Sequence, residues 1–167
     1  SIPVAAKIGF YFTELAALVV GMSRTGLGAL VLFNRYYRPD IDIEKLRIKS
    51  NTILSSPTEL TLSLRWIALL ANQCECDLAA ATGIHDYSGV VKQLIAGAQC
   101  VQVVSALYEH GPGHLATMRH GLEEWMGKHG YSHIEDFRGM IQRDPELPPA
   151  FERVQYMMKS AGRYAHA

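Results

Sequence analysis

This 167-residue chain has no surplus of charge of either sign: 16 basic side chains are set against 16 acidic ones, and no local basic patch stands out. Nothing in it would attract a polyanion or an acidic membrane surface, so neither nucleic acid nor membrane is expected as a partner. Long apolar runs are missing as well. The longest, Leu15 to Met22, falls far short of the ~20 residues a membrane span requires. Cysteine is scarce. Three cysteines cannot all pair within one chain, which points to reduced thiols and a cytoplasmic setting. Cys74 and Cys76 would share one face of a strand, but a zinc site wants about four ligands, so no metal is expected. There is no initiating Met, no basic leader and no cleavage-type segment. Ser1 leads straight into the apolar run Ile2 to Ile8, which reads as a chain cut from something longer. Nor does residue order alone support a Ser-His-Asp or paired-carboxylate arrangement.

What is present is a 49% hydrophobic composition, enough for a real core, and an alternation of strand-like and helix-like stretches. Pro3 to Ile8, Ala29 to Phe33, Cys76 to Ala81 and Cys100 to Val104 read as strands. Helices are expected from Thr13 to about Arg24, from a Ser56-Pro57-Thr58-Glu59 start to about Ala71, from Ser88 to Ala96, from Gly113 to Lys128 and from Ile134 to Ile141. A loop with turn chemistry at Arg38-Pro39-Asp40 and a short strand or hairpin at Leu46 to Ile53 interrupts the second unit. Four βα units result, an α/β pattern of either half a (βα)8 barrel or a small open parallel sheet. Residues 1–143 carry them, and residues 144–167 read as a Pro-rich linker and a last amphipathic stretch, Phe151 to Gly162.

Each strand ends in a polar or glycine-containing break, and in both architectures that edge is where ligands bind. Lys7 offers a strand-end ammonium to an anionic or electron-rich group, or it snorkels to water. Asn34 offers a donor and an acceptor to a planar heterocycle, or it satisfies a turn. Arg35 and Arg38 could neutralise a substrate carboxylate, but read first as solvating the loop. Thr82-Gly83 and Val104-Ser105 close successive strands, each followed by helix-forming sequence, where backbone N–H groups recurrently hold phosphate. His110 and His114 have helical ligand spacing, but Gly111-Pro112-Gly113 breaks the helix between them, and the remaining histidines read as scattered on surface helices.

At these residues the chain resembles a known family. The segments Val4 to Ile8, Val31 to Asn34, Ala81 to Ile84, Ile95 to Val103, Ser105 to Pro112 and Gly130 to Gly139 resemble, in order and spacing, the C-terminal half of the dihydroorotate dehydrogenases. Phe33 to Asp40 and Leu64 to Ala68 look most like a divergent, dihydroorotate dehydrogenase-like bacterial branch. The resemblance implies a TIM (βα)8 barrel that binds FMN at its C-terminal face, of which this chain supplies about the last four βα units. It implies oxidation of a dihydropyrimidine, dihydroorotate to orotate in pyrimidine biosynthesis, by hydride transfer to the flavin. Lys7 then maps beside flavin N1 and the C2 carbonyl, Phe33 backs the flavin, Asn34 binds the substrate, and Thr82, Gly83, Val104 and Ser105 fall on the phosphate loops. The family's catalytic base lies upstream of anything matched here.

Two departures stand out. Thr82 and Val104 occupy positions where the family usually has glycine, and would be strained there if the backbone takes φ > 0. The glycine-rich turn before the third helix reads Ser50-Asn51-Thr52. Two further readings stand beside the flavoenzyme: a non-catalytic half-barrel that assembles with a second copy or with an N-terminal half, and a divergent barrel for another nucleobase or phosphate ligand.

Overall fold

The structure, a computed structural model, describes residues 2–36, 39–50 and 54–143. The expected linker and C-terminal amphipathic stretch, together with Arg38, Asn51 and Thr52, lie outside the described residues. In chain order the elements are β1 (Ala5–Ile8), α1 (Leu15–Ser23), β2 (Ala29–Leu32), β3 (Pro39–Asp42), β4 (Arg47–Ser50), α2 (Leu60–Leu70), β5 (Asp77–Ala81), α3 (Tyr87–Ala96), β6 (Cys100–Gln102), α4 (Ser105–His110) and α5 (His114–His129). One sheet has the order β1-β2-β5-β6 with every pair parallel. Each crossover carries a helix, so four βα units stand side by side in chain order, half of a (βα)8 barrel.

Strand periodicity divides this sheet into two unlike faces. Ile8, Leu32, Ala80 and Val101 share one register row, and with Leu30 and Leu78 they pack into the helix layer around Val19, Ile67 and Leu70. On the other face, Lys7, Val31, Ala79 and Cys100 form a row, and Ala81 stands beside Gln102. There Val31, Ala79 and Ala81 make a small cluster of their own. Lys7 Nζ donates to Gln102 Oε1 at 3.1 Å although two strands separate β1 from β6. In a flat sheet those outer strands would stand about 14 Å apart at ~4.8 Å per spacing. The sheet is curled with this face concave, as a barrel requires.

The second unit carries an antiparallel hairpin, β3 with β4. It begins at Pro39, where the sequence predicts a turn, because Asp40 and Asp42 pair with Lys49 and Arg47 and Lys49 Nζ lies 3.4 Å from Asp40 Oδ2. The turn itself is built by Asp42, whose Oδ1 accepts from the N–H groups of Glu44 and Lys45. At the other end of the chain, the helix predicted from Ile134 to Ile141 is two short 3-10 turns, Ile134–Asp136 and Met140–Arg143. Gly139, at φ 62°, interrupts them, and its N–H donates to the Leu94 carbonyl and fixes the segment on α3. The fourth predicted strand also stops early, at Gln102, because Val104 already accepts from Leu107 and Tyr108 as the cap of α4.

Between α2 and α3 the helix layer contains one polar pair. Gln93 is fully buried, its Nε2 donates to Ser63 Oγ at 2.8 Å, and its Oε1 has no partner among the described residues. A half-satisfied buried amide costs stability, and removing its one acceptor costs more than removing the amide itself. Ser63→Ala is expected to lower unfolding free energy by about 1–2 kcal/mol, whereas Gln93→Met leaves it unchanged or raises it. Urea melts of the two variants check this, and equal losses would contradict it.

Candidate functional site

The strands all run the same way, so their C-terminal ends and following loops meet on one edge. A cleft of about 470 Å3 opens there, within the roughly 300–1,000 Å3 typical of ligand sites. It gathers Lys7, Asn34, Thr82, Gly83, Val104 and Ser105, six of the seven residues singled out from the sequence. Phe33 is not among them. Its ring is buried, edge-on to Phe10 with centroids 6.0 Å apart, and faces a smaller adjoining cavity of about 80 Å3. Asn34, Arg35, Ala81 and Thr82 form the wall common to both spaces.

Polar groups are distributed unevenly along the cleft. Lys7 and Gln102 stand on the concave sheet face. Asn34 is placed by the sheet itself, its N–H donating to the Ile8 carbonyl at 2.7 Å, which leaves the side-chain amide for the cleft. Arg35 does not solvate the loop as expected: its Nε is 2.8 Å from Glu59 Oε2 and both side chains are only 18% exposed. Glu59 also accepts the N–H of Ser56 through Oε1, so one carboxylate caps the start of α2 and anchors the loop after β2.

The loop after β5 has the backbone that the departure from glycine at Thr82 brings into question. Thr82 takes φ 79° and Gly83 φ 77°, a conformation unfavourable for a β-branched residue. Thr82 Oγ1 donates to the Phe33 carbonyl at 3.2 Å and offsets part of that cost. Val104 is different: its φ of −131° is negative, so it does not take the left-handed conformation that calls for glycine. Gly83 has no such latitude, because a Cβ on it would lie 2.2 Å from the backbone nitrogen of Leu60.

Three residues of this region were not read from the sequence: Ser55, His85 and Glu109. Ser55 Oγ is hydrogen-bonded to Ser105 Oγ at 2.9 Å, approaches His85 Nε2 at 3.3 Å and accepts the N–H of Gly83 at 3.3 Å. The N–H of Ser55 donates to Ser105 Oγ, and His85 Nδ1 is 3.3 Å from Glu109 Oε2. His85 therefore sits in the β5–α3 loop with a side chain only 9% exposed, not on a surface helix. The 30-residue and 50-residue separations explain why order alone concealed the group. Its only sequence signal is that both partners follow predicted strand ends. Among the described residues, no group of three or more His, Cys, Asp and Glu could hold a metal ion. No helix searched there is long and apolar enough to cross a membrane.

No protein-family model matches the chain. Curated proteins do. The dihydroorotate dehydrogenase B (NAD(+)) catalytic subunit of Petrotoga mobilis is 28% identical over 142 residues, covering 83% of this chain and 47% of that protein. The corresponding subunit of Methanothermobacter thermautotrophicus is 27% identical over 143 residues, with 83% and 47% covered. A putative dihydroorotate dehydrogenase A (fumarate) of Aeropyrum pernix is 27% identical over 145 residues, with 85% and 47% covered. The relatives are dihydroorotate dehydrogenases. A solved structure of the Eimeria tenella dihydroorotate dehydrogenase in complex with ferulenol superposes with a TM-score of 0.70 at 20% identity, over 85% of this chain and 39% of that one. The fold is thus that of part of a dihydroorotate dehydrogenase barrel. The chain spans about half the length of the curated dihydroorotate dehydrogenases it matches, as a C-terminal half does.

Gly83→Ala is expected to destabilise the chain by about 3 kcal/mol or more, because it adds a backbone clash to an unfavourable φ; a thermal melt within a degree or two of the parent would contradict this. Burial pushes the thiols of Cys74 and Cys76 up, with the Asp77 charge adding to it at Cys76, while Cys100 is exposed on the concave side. Alkylation at neutral pH, read by peptide mass mapping, is expected to modify Cys100 first.

Proposed function

We propose that residues 1–143 are the flavin-side half of an FMN-dependent dihydroorotate-oxidising enzyme. The observation that carries this is the gathering, in one cleft, of Lys7, Asn34, Thr82, Gly83, Val104 and Ser105, in a chain whose curated relatives are dihydroorotate dehydrogenases. The cleft is suited to FMN in three respects: its volume, a cation and two amides on one part of its wall, and hydroxyls with the Gly83 loop on another. When bound, FMN would supply the hydride-accepting chemistry. Lys7 would hold its positive charge against the part of the ring that becomes anionic on reduction. Ser55, Thr82, Gly83 and Ser105 would meet the phosphate, and Asn34 would present donor and acceptor to the dihydropyrimidine. Phe33 contributes from behind the wall by fixing the backbone to which Thr82 is bonded.

No carboxylate, histidine or cysteine is among the residues lining this cleft in the described structure. The proton acceptor for the substrate is assigned to the other half of the barrel, where the resemblance places the family's base. That half has a place to dock: β1 and β6 each have one unpaired edge, and paired edges are how a barrel closes. The partner is either further sequence or a second chain.

Adding FMN to the purified chain is expected to quench flavin fluorescence saturably, and anaerobic dihydroorotate to bleach the bound flavin only when the complementary half is supplied. Absence of any quenching would overturn the flavin reading and favour the assembly reading, for which light scattering gives the mass. Lys7→Met is expected to weaken binding of reduced FMN by about tenfold more than that of oxidised FMN, the loss of one charge-assisted contact. Equal weakening of the two would remove Lys7 from its role.

A further inference from the structure

The sequence leaves unused a chain of polar side chains immediately behind the cleft wall. Ser55 and Ser105 line the cleft, His85 lies behind them, and Glu109 backs the imidazole. These contacts tie together three loops that are distant in sequence: the approach to α2, the β5–α3 loop and the start of α4. Hydrogen-bond direction within the chain is not free, because each hydroxyl has one hydrogen to give.

With neutral imidazole, Glu109 takes the Nδ1–H and leaves Nε2 as an acceptor. Ser55 then gives its hydrogen to His85. Its oxygen already accepts the Gly83 N–H, and Ser105 must then donate to it, the reverse of the direction this structure has across the 2.9 Å contact, where Ser55 is the donor. Both hydroxyl hydrogens are consumed inside the wall. With both ring nitrogens protonated, Nε2–H donates to Ser55 Oγ and the order reverses. Ser55 donates to Ser105, whose own hydrogen is released toward the cleft, or Ser55 turns its hydrogen there directly. In either case one O–H donor is gained by the cleft.

We propose that His85 is a proton-linked positioning residue for a phosphate monoester: its protonation reverses the Ser55–Ser105 hydrogen bonds and turns one hydroxyl donor toward the phosphate. Glu109, 3.3 Å from Nδ1, holds the imidazolium that results. The other titratable groups around His85 are accounted for. His110 Nε2 lies 3.8 Å from the same Glu109 oxygen. His114 of α5 donates through Nε2 to the His85 carbonyl, not to its ring. Asp86 Oδ1 accepts the Gly89 N–H as the cap of α3. Tyr108, Lys7 and Arg35 line the cleft itself. The consequence is linkage: a phosphate dianion draws a proton onto His85, and a ligand without phosphate does not. The proposal rests on the flavin reading, for which FMN and riboflavin are the matched probes.

The test is calorimetry of FMN and riboflavin binding to the full chain in buffers of different ionisation enthalpy. It is run at about pH 8, where a phosphate monoester with a second pKa of about 6 is already dianionic. The expected result is net proton uptake on binding FMN and none on binding riboflavin. His85→Gln, which keeps a polar group of similar reach without a titrating ring, should abolish the uptake. It should also lower the preference for FMN over riboflavin by about tenfold, the worth of a hydrogen bond to a charged group. Glu109→Gln should reduce the uptake while leaving riboflavin affinity unchanged, and decides the matter if His85→Gln fails to fold. FMN binding without proton uptake, or uptake undiminished in either folded variant, overturns the proposal but leaves the flavin reading standing. Failure of both flavins to bind overturns the two together.

Discussion

The cleft depends on a parallel ladder curled so far that its first and fourth strands share a contact. Parallel pairing forces every strand to end on the same side, and curling brings those ends within reach of one another. The Lys7–Gln102 hydrogen bond measures the second effect directly, because it joins side chains on strands that two others separate. Lys7 on an open, flat sheet would face solvent far from the loop after β6. On this sheet it faces the same space as Ser105 and Gly83. The chemistry at the strand ends is thus a consequence of backbone geometry before any loop residue is chosen.

The same curvature explains the unequal sizes of the two sheet faces. The convex face carries Leu30, Leu32 and Leu78 against the helices, where full burial of each contributes about 1.5–3 kcal/mol. The concave face has only Val31, Ala79 and Ala81 as a buried cluster. Larger side chains would crowd a barrel interior whose remaining half must also fit. With Lys7, Asp77 and Cys100 exposed, this face is covered only near its middle. Half a barrel can therefore fold one side as a finished core while the other keeps only a small buried cluster.

The four units, their order and the edge where the strand ends line a cleft were legible in the sequence because they rest on local signals. Ala29 to Leu32 is short, apolar and bounded, and Gly97, at φ 112°, ends α3 as a glycine should. Six strand-end residues were legible for the same reason. What was illegible depends on pairs distant in sequence. Arg35 read as a loop cation because nothing local announces Glu59, 24 residues on. His85 read as a surface histidine because Ser55 and Glu109 reach it from opposite sides in sequence. Phe33 ends a strand like the residues around it, yet its ring turns away from the cleft, since the backbone there gives its carbonyl to Thr82 and its side chain to the core.

Thr82 and Val104 show how far a residue-for-residue comparison can be carried. Both stand where the resemblance places glycine, and by composition they are equal departures. The backbone separates them: Val104 at φ −131° stays on the negative side and serves as the cap of α4, whereas Thr82 at φ 79° takes the conformation that glycine is suited to. A β-branched residue is held there because the neighbouring position leaves no alternative. Gly83 is pressed against the Leu60 backbone, so the loop cannot shift to relax Thr82 without driving Gly83 into the start of α2. Thr82 instead recovers a hydrogen bond to Phe33 that glycine could not make. The loop shape is thereby set by α2 packing rather than by the residue at its apex, and the Gly83 N–H stays directed at Ser55 with threonine in place of glycine.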